Sequence, residues 1–208
     1  MEKIIIIGAG GHGQVVAEII TLMHGVQPLC FLDDDTSLHG TELLGIPVQG
    51  GILELDKIKH DGVIIAIGDN NRRKLIFERL AAQTHFFTVI HPSAIISPSA
   101  SIEKGCMILA GTVINTKAKI HKDTIINTNS IVEHHCQIGP HVHIAPGVSL
   151  GGNVTVGEET LIGIGATVLP GISIGTNSIL GAGSTAIKPI PSDTIAVAYP
   201  AKKLFSKW

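Results

Sequence analysis

Histidines crowd one stretch of this chain: His121, His134, His135, His141 and His143 stand among short aliphatic residues and glycines. Imidazole has an ordinary pKa of about 6.5 and exchanges a proton near neutral pH, so these residues are candidate general bases, metal ligands or simply solvated side chains. A second constellation lies near the N-terminus. There Gly8-Ala9-Gly10-Gly11-His12-Gly13 reads GxGxxG between an apolar run, Ile4 to Ile7, and a helical pattern carried by Val15, Val16, Ile19 and Ile20. That placement aims backbone N–H groups and a helix N-terminus at a phosphate or another polar ligand. Asp33-Asp34-Asp35 ends a second run beginning at Pro28. It stands at about the distance at which an acidic side chain reaches a ribose hydroxyl. Gly68-Asp69-Asn70-Asn71 ends a third run, Val63 to Ile67, before a helical stretch from Arg72 to Ala82. Three strand ends therefore converge on one crevice. The segment is half the length of a two-part dinucleotide domain, so a mononucleotide or nucleotide sugar suits it better.

The histidines are positioned by a different kind of element. From Ile90 to Leu180 every sixth residue is aliphatic: Ile108, Ile114, Ile120, Ile126, Val132, Ile138, Ile144 and Leu150 form the middle of an unbroken series. Neither a 3.6-residue helix nor a two-residue strand alternation gives this period, whereas a triangular coil with three six-residue sides does. The aliphatic side chains fill the interior, each contributing roughly 1.5–3 kcal/mol before entropy. Cys106 and Cys136 fall two residues before an aliphatic position, in the small inward slot. Asn115, Asn127, Gly139, Gly157 and Gly175 follow aliphatic positions and are expected to supply corners with positive φ. His134 and His143 point outward. They are nine residues apart, half a coil, so they fall on different sides of the triangle. His91-Pro92 marks the switch into the coil, and Pro189 and Pro191 are expected to stop it, with the segment through Phe205 and Trp208 covering the last edge.

Composition narrows the function classes. A net charge of −2 gives no electrostatic footprint for nucleic acid, and no charge run suggests a membrane surface. The apolar runs are shorter than the ~18 residues that a membrane span requires. The chain opens Met-Glu-Lys and enters a strand directly, so no signal peptide is expected. Three cysteines without a CxxC pair read as structural thiols of a reducing, cytoplasmic protein.

Taken together, Gly8 to Gly13, Phe31-Leu32-Asp33-Asp34, Ala66-Ile67-Gly68, His91-Pro92-Ser93-Ala94, Asn127-Thr128, Glu133-His134 and Pro200-Ala201-Lys202 resemble the NeuD/PglD-type bacterial sugar acetyltransferases, in order and over essentially the whole chain. The resemblance implies an α/β Rossmann-like domain, residues 1–85, followed by a left-handed parallel β-helix with a C-terminal cap, residues 86–208. It implies a homotrimer, acetyl-CoA as co-substrate with no metal, and a nucleotide-sugar acceptor. Gly10, Gly11, His12, Asp33, Asp34, Gly68 and Asn70 would line the nucleotide-sugar site. His134 would be the base, with Glu133, His135 and Asn127 beside it, while His143, Gly152, Ile164, Ala182 and Lys202 would meet acetyl-CoA. Two departures from the family pattern stand out. His135 occupies the place after the base where an acidic residue is usual, and Ala198 replaces the glycine of the C-terminal motif.

The expected reaction is N-acetylation of a UDP-linked 4-amino-dideoxy sugar for surface glycan or glycoprotein assembly. The amine would attack the thioester directly while His134 takes its proton and a backbone N–H, at Gly152, meets the oxyanion. Cys136 is the rival nucleophile, set aside by its inward phase. Three alternatives stay open: O-acetylation of sialic acid or a related sugar, a zinc hydratase of the carbonic-anhydrase type with ligands from two subunits, and a nucleotide-sugar sensor without catalysis.

Overall fold

The computed structural model describes residues 1–206, and the chain divides into two units, residues 1–92 and 93–208. In the first unit the β-branched run at the N-terminus forms an interior strand of a five-stranded mixed sheet. Its elements are β1 (Glu2–Ile7), α1 (Gly11–Leu22), β2 (Val26–Leu32), β3 (Glu42–Leu43), β4 (Ile46–Gly50), β5 (Gly62–Ile65) and α2 (Asn70–Leu80). The strand order is β3-β4-β2-β1-β5, parallel except for the β3–β4 hairpin. Ile4 to Ile7 on β1 and Val63 and Ile64 on β5 are fully buried, as expected of parallel strands covered on both faces. Phe77 on α2 stacks on Phe86 with ring centroids 4.0 Å apart, closing one side of that core.

The second unit is a parallel β-helix whose strands are two residues long. Its first face carries strands such as Ile125–Ile126, His143–Ile144 and Leu161–Ile162; its second, Val113–Ile114, Ile131–Val132 and Ser149–Leu150; its third, Lys119–Ile120, Gln137–Ile138 and Thr155–Val156. Each strand pairs in parallel with the one 18 residues on, as in Val113↔Ile131↔Ser149. The inward aliphatic series is sealed: Ile126, Val132, Ile138, Ile144 and Ile162 are all 0% exposed. Burial of this kind is what holds so short a strand in place, since two residues make too few ladder bonds to persist alone.

The corners correct the sequence expectation. From Ile102 to Leu180 positive φ occurs three residues after each inward aliphatic position, as at Lys117, Asp123, Asn129, His135, His141, Asn153 and Glu159, and at glycines such as Gly147 and Gly165. Asn115, Asn127, Gly139, Gly157 and Gly175 do not have it. Glycine at the last three answers a different demand, the close approach of the next coil. A Cβ on Gly157 would stand 2.5 Å from the Thr176 nitrogen, and one on Gly139 2.9 Å from the Glu158 nitrogen.

The prolines do not stop the coil; they shorten it. Ala186 still points inward at 1% exposure, paired with Val168, and then Ile190 pairs with Ile174 and Ile195 with Ile179, a spacing of 16 residues. Thr194–Val197 extends the first face, and Lys202–Ser206 pairs antiparallel to it, so the backbone around Phe205 does add a final strand. Trp208 lies outside the described residues. No described helix is long and apolar enough to cross a membrane.

Candidate active site

Two places in the molecule gather the chemistry. In the first unit the ends of β1, β2 and β5 open a cleft of about 270 Å³ lined by Gly8, Gly10, Gly11, His12, Asp33, Ala66, Ile67, Gly68 and Arg72. The GxGxxG residues divide the labour of building it. Gly8 has φ +105°, and a Cβ on Gly13 would strike the Gly8 carbonyl oxygen, so these two allow α1 to start tight against β1. Around Gly10 and Gly11 the space is open, which leaves the start of α1 accessible to a ligand. Asp33 ties the loops together: Oδ2 accepts from the Ala9 N–H at 2.8 Å and Oδ1 from Asp35 N–H at 3.0 Å.

Two residues expected in this cleft do other work. Asp34 Oδ1 accepts from the Ile52 N–H at 3.0 Å, fixing the turn after β4. Asn70 Oδ1 accepts from Arg73 Nη2 at 3.0 Å. Neither belongs to the lining; Ala66, Ile67 and Arg72 do, and sequence reasoning missed them. Arg72 could have been found from its place on the first turn of α2, two residues past Asn70. Arg73 is fully buried, donating to the Ile67 carbonyl at 3.0 Å. Burial, and then the positive charge of Arg73, push the pKa of His12 down to about 4, so this imidazole is neutral at physiological pH.

The second place is the corner of the β-helix that follows Ile131–Val132. His134 and His135 are exposed there, and their Nδ1 atoms lie 3.1 Å apart with the rings at 84°. Gly152 occupies the same corner one coil on, and a Cβ there would fall 2.5 Å from His134 Nε2. The glycine thus gives the ring its seat. Glu133 does not act on the ring: Oε1 accepts from Asn115 Nδ2 at 3.0 Å and Oε2 from the His134 backbone N–H at 3.1 Å. Asn127 is not in this group either. Its Nδ2 donates to His143 Nε2 at 3.0 Å on the first face, because residues follow the coil rather than the sequence in choosing neighbours.

Of the residues expected to meet acetyl-CoA, Ile164 and Ala182 share the corner after the first face, stacked one coil apart and both exposed, while Gly152 belongs to the His134 corner. Lys202 is exposed at the start of the last strand. Within one chain these sets stand at different corners. Cys136 is fully buried, its Sγ donating to the Gly151 carbonyl at 3.2 Å, and burial pushes its pKa up, which is the opposite of an activated thiol. Among the described residues no three His, Cys, Asp or Glu side chains converge on a common point.

Comparison with known proteins agrees with this division. Residues 3–80 match the PglD N-terminal domain and residues 80–183 match the GMPPB C-terminal domain. PerB from Caulobacter crescentus, solved with CoA and GDP-perosamine, is 34% identical over 99% of this chain and 98% of its own, with a TM-score of 0.92. The chain belongs to the PglD/PerB/PglB-type family of acetyl-CoA-dependent sugar N-acetyltransferases. A further family member, the acetyltransferase domain of PglB from Neisseria gonorrhoeae FA1090 in complex with acetyl coenzyme A, is 36% identical, covers 98% of this chain and 99% of its own, and has a TM-score of 0.93. The UDP-N-acetylbacillosamine N-acetyltransferase of Bacillus subtilis (strain 168) is 40% identical over 98 residues, a match that spans 45% of this chain and 45% of that protein.

Proposed function

We propose that this protein transfers the acetyl group of acetyl-CoA to the amine of a UDP-linked 4-amino-dideoxy sugar in surface glycan or glycoprotein assembly. The observation that carries the reading is the seat of His134: an exposed imidazole pressed on the Gly152 backbone, in a chain whose other unit holds a glycine-lined cleft. The amine nitrogen attacks the thioester carbonyl carbon and the carbon–sulfur bond breaks. The amine proton passes to His134 Nε2 and from there to the departing CoA sulfur, leaving the amide and free thiol. Backbone N–H at Gly152 meets the negative oxygen in between. The buried Cys136 and its raised pKa favour direct transfer over an acyl-enzyme.

His134 and the Ile164 and Ala182 corner stand apart in one chain, so the reading includes a trimer in which the thioester lies between the His134 corner of one subunit and the Ile164 corner of the next. The outward side of the second face supports it in its first coils, where Ile95 is 66% and Ile131 37% exposed on either side of Val113, before Ser149, Thr167 and Thr185 follow; the third face turns out Ser101, Lys119, Thr155 and Ser173. The acceptor nucleotide is read as uridine from the Bacillus subtilis relative, while PerB is solved with a GDP sugar. The test is thiol release from acetyl-CoA with UDP-4-amino-4,6-dideoxy-N-acetylglucosamine or GDP-perosamine as acceptor. Release with the UDP sugar is expected. Release only with GDP-perosamine would change the nucleotide, and binding of acetyl-CoA with no release from either would move the reading to a hydroxyl acceptor.

A further inference from the structure

We infer that His135 is a positioning residue for the base, forming with His134 a two-imidazole dyad in which a neutral ring takes the place of a carboxylate. This rests on the acetyltransferase reading for its consequence in turnover, and on geometry for the dyad itself. His135 has φ +61°, and this left-handed turn brings the ring back beside the preceding residue, with Nδ1 to Nδ1 at 3.1 Å. Glu133, the carboxylate nearest in sequence, is held away by Asn115 and by the His134 backbone N–H. Lys117 and Asn153 occupy the position of His135 one coil to either side, so Glu133, His135 and Lys117 are the titratable groups around this corner.

The pairing fixes a tautomer. Two Nδ1 atoms in hydrogen-bond contact share one proton, and for His134 to accept a proton at Nε2 its own proton must sit on Nδ1. His134 Nδ1–H then donates to His135 Nδ1, and His135 carries its proton on Nε2. Nε2 of His134, the ring nitrogen nearer the Gly152 seat, is left as the acceptor. When it takes the amine proton, the cation keeps its donor bond to a neutral partner. A carboxylate in the same place would also fix the tautomer, but its charge would favour the protonated ring and stop turnover at a higher pH.

The test uses substitutions that the backbone already accepts, since the equivalent positive-φ corner position holds Gly147 and Gly165 on one side and Glu159 on another. In the full-length protein, His135→Gly is expected to lower kcat roughly 10–100-fold with KM for acetyl-CoA within about twofold. His135→Glu is expected to restore kcat at its optimum to within about threefold, and to move the acidic limb of the kcat profile up by about one pH unit. A residue that only shapes the turn would leave that limb where it is. Nitrogen-15 NMR of the ring nitrogens reads the tautomer without turnover: neutral His134 carries its proton on Nδ1 in the wild type, and reverts toward Nε2–H in His135→Gly. His134 found as Nε2–H in the wild type, or an acidic limb unmoved by His135→Glu, overturns the dyad. A wild type with the Nδ1–H tautomer that transfers no acetyl group keeps the dyad and overturns the acetyltransferase reading alone.

Discussion

The β-helix holds two paired histidines at the same step of its hexad, and they could hardly differ more. His141 is 1% exposed and its Nδ1 meets Asp123 Oδ2 at 2.6 Å, with Asp123 as deeply buried. His135, one hexad earlier and in the same left-handed conformation, is exposed and meets a second imidazole. The coil supplies the same backbone to both, so backbone geometry does not assign a role. Access and partner do. The His141–Asp123 pair links two stacked coils with both side chains only 1% exposed. The His134–His135 pair is exposed to solvent, beside a glycine that leaves space for the His134 ring.

The largest break in that contrast is chemical. Replacing His134 by alanine should lower kcat by about 10²–10⁴ with thermal stability unchanged; a loss below about fivefold would end its role as base. The corresponding break on the buried side is structural. Asp123→Ala removes the carboxylate that His141 meets inside the protein and should cost about 3–5 kcal/mol in urea unfolding, with kcat per folded molecule nearly unchanged. Should it lower kcat tenfold and spare stability, the two pairs would have to exchange roles.

His12 sharpens the comparison as a third environment, buried beside a cation instead of an acid. Its folded value of about 4 lies below the ordinary 6.5, so the unfolded chain binds the extra proton first. Stability from this residue is complete above the ordinary value and is lost as pH falls from there toward 4, by about 3 kcal/mol in all. Unfolding free energies at neutral and acid pH, compared between wild type and His12→Gln, measure it; equal slopes would show that Arg73 and burial do not act on this ring. A smaller effect is expected at the seat of the base. Gly152→Ala places a methyl against the His134 ring and should lower kcat roughly tenfold or more while leaving the fold intact. The smallest is Cys136→Ser, whose hydroxyl can still donate to the Gly151 carbonyl; activity within about twofold is expected, and its loss would revive a covalent route.

How much of this was legible in the sequence follows from what each feature depends on. The hexad needs only the inward residues to be aliphatic, and the structure seals them, so the coil and its 18-residue stacking could be read directly. The proximity of His134 and Gly152 follows from the same arithmetic. The left-handed corner was hidden because Lys117 and Glu159, types that rarely take positive φ, share it with residues such as Asn129 and Gly147, while the Asn and Gly that directly follow the aliphatic positions drew attention to the wrong step. The family resemblance placed Asn127 near His134, whereas within one chain the coil pairs it with His143. Asp34 and Asn70 show the limit in the cleft: an acid or amide after a strand serves a ligand or a neighbouring backbone equally well, and only hydrogen-bond partners tell which.

The 18-residue register that repeats from coil to coil through Ala186 makes this molecule a ruler graduated in steps of one full turn. Inserting one whole coil between Gly152 and Leu161 would lengthen the protein and leave every corner facing as before. Inserting a single hexad there would preserve the interior equally well, since any aliphatic sixth residue fits, yet it would carry Ile164 and Ala182 round to another side. Such a chain should fold and yet lose acetyl transfer, so the length of this segment answers to the proposed site and not to the interior.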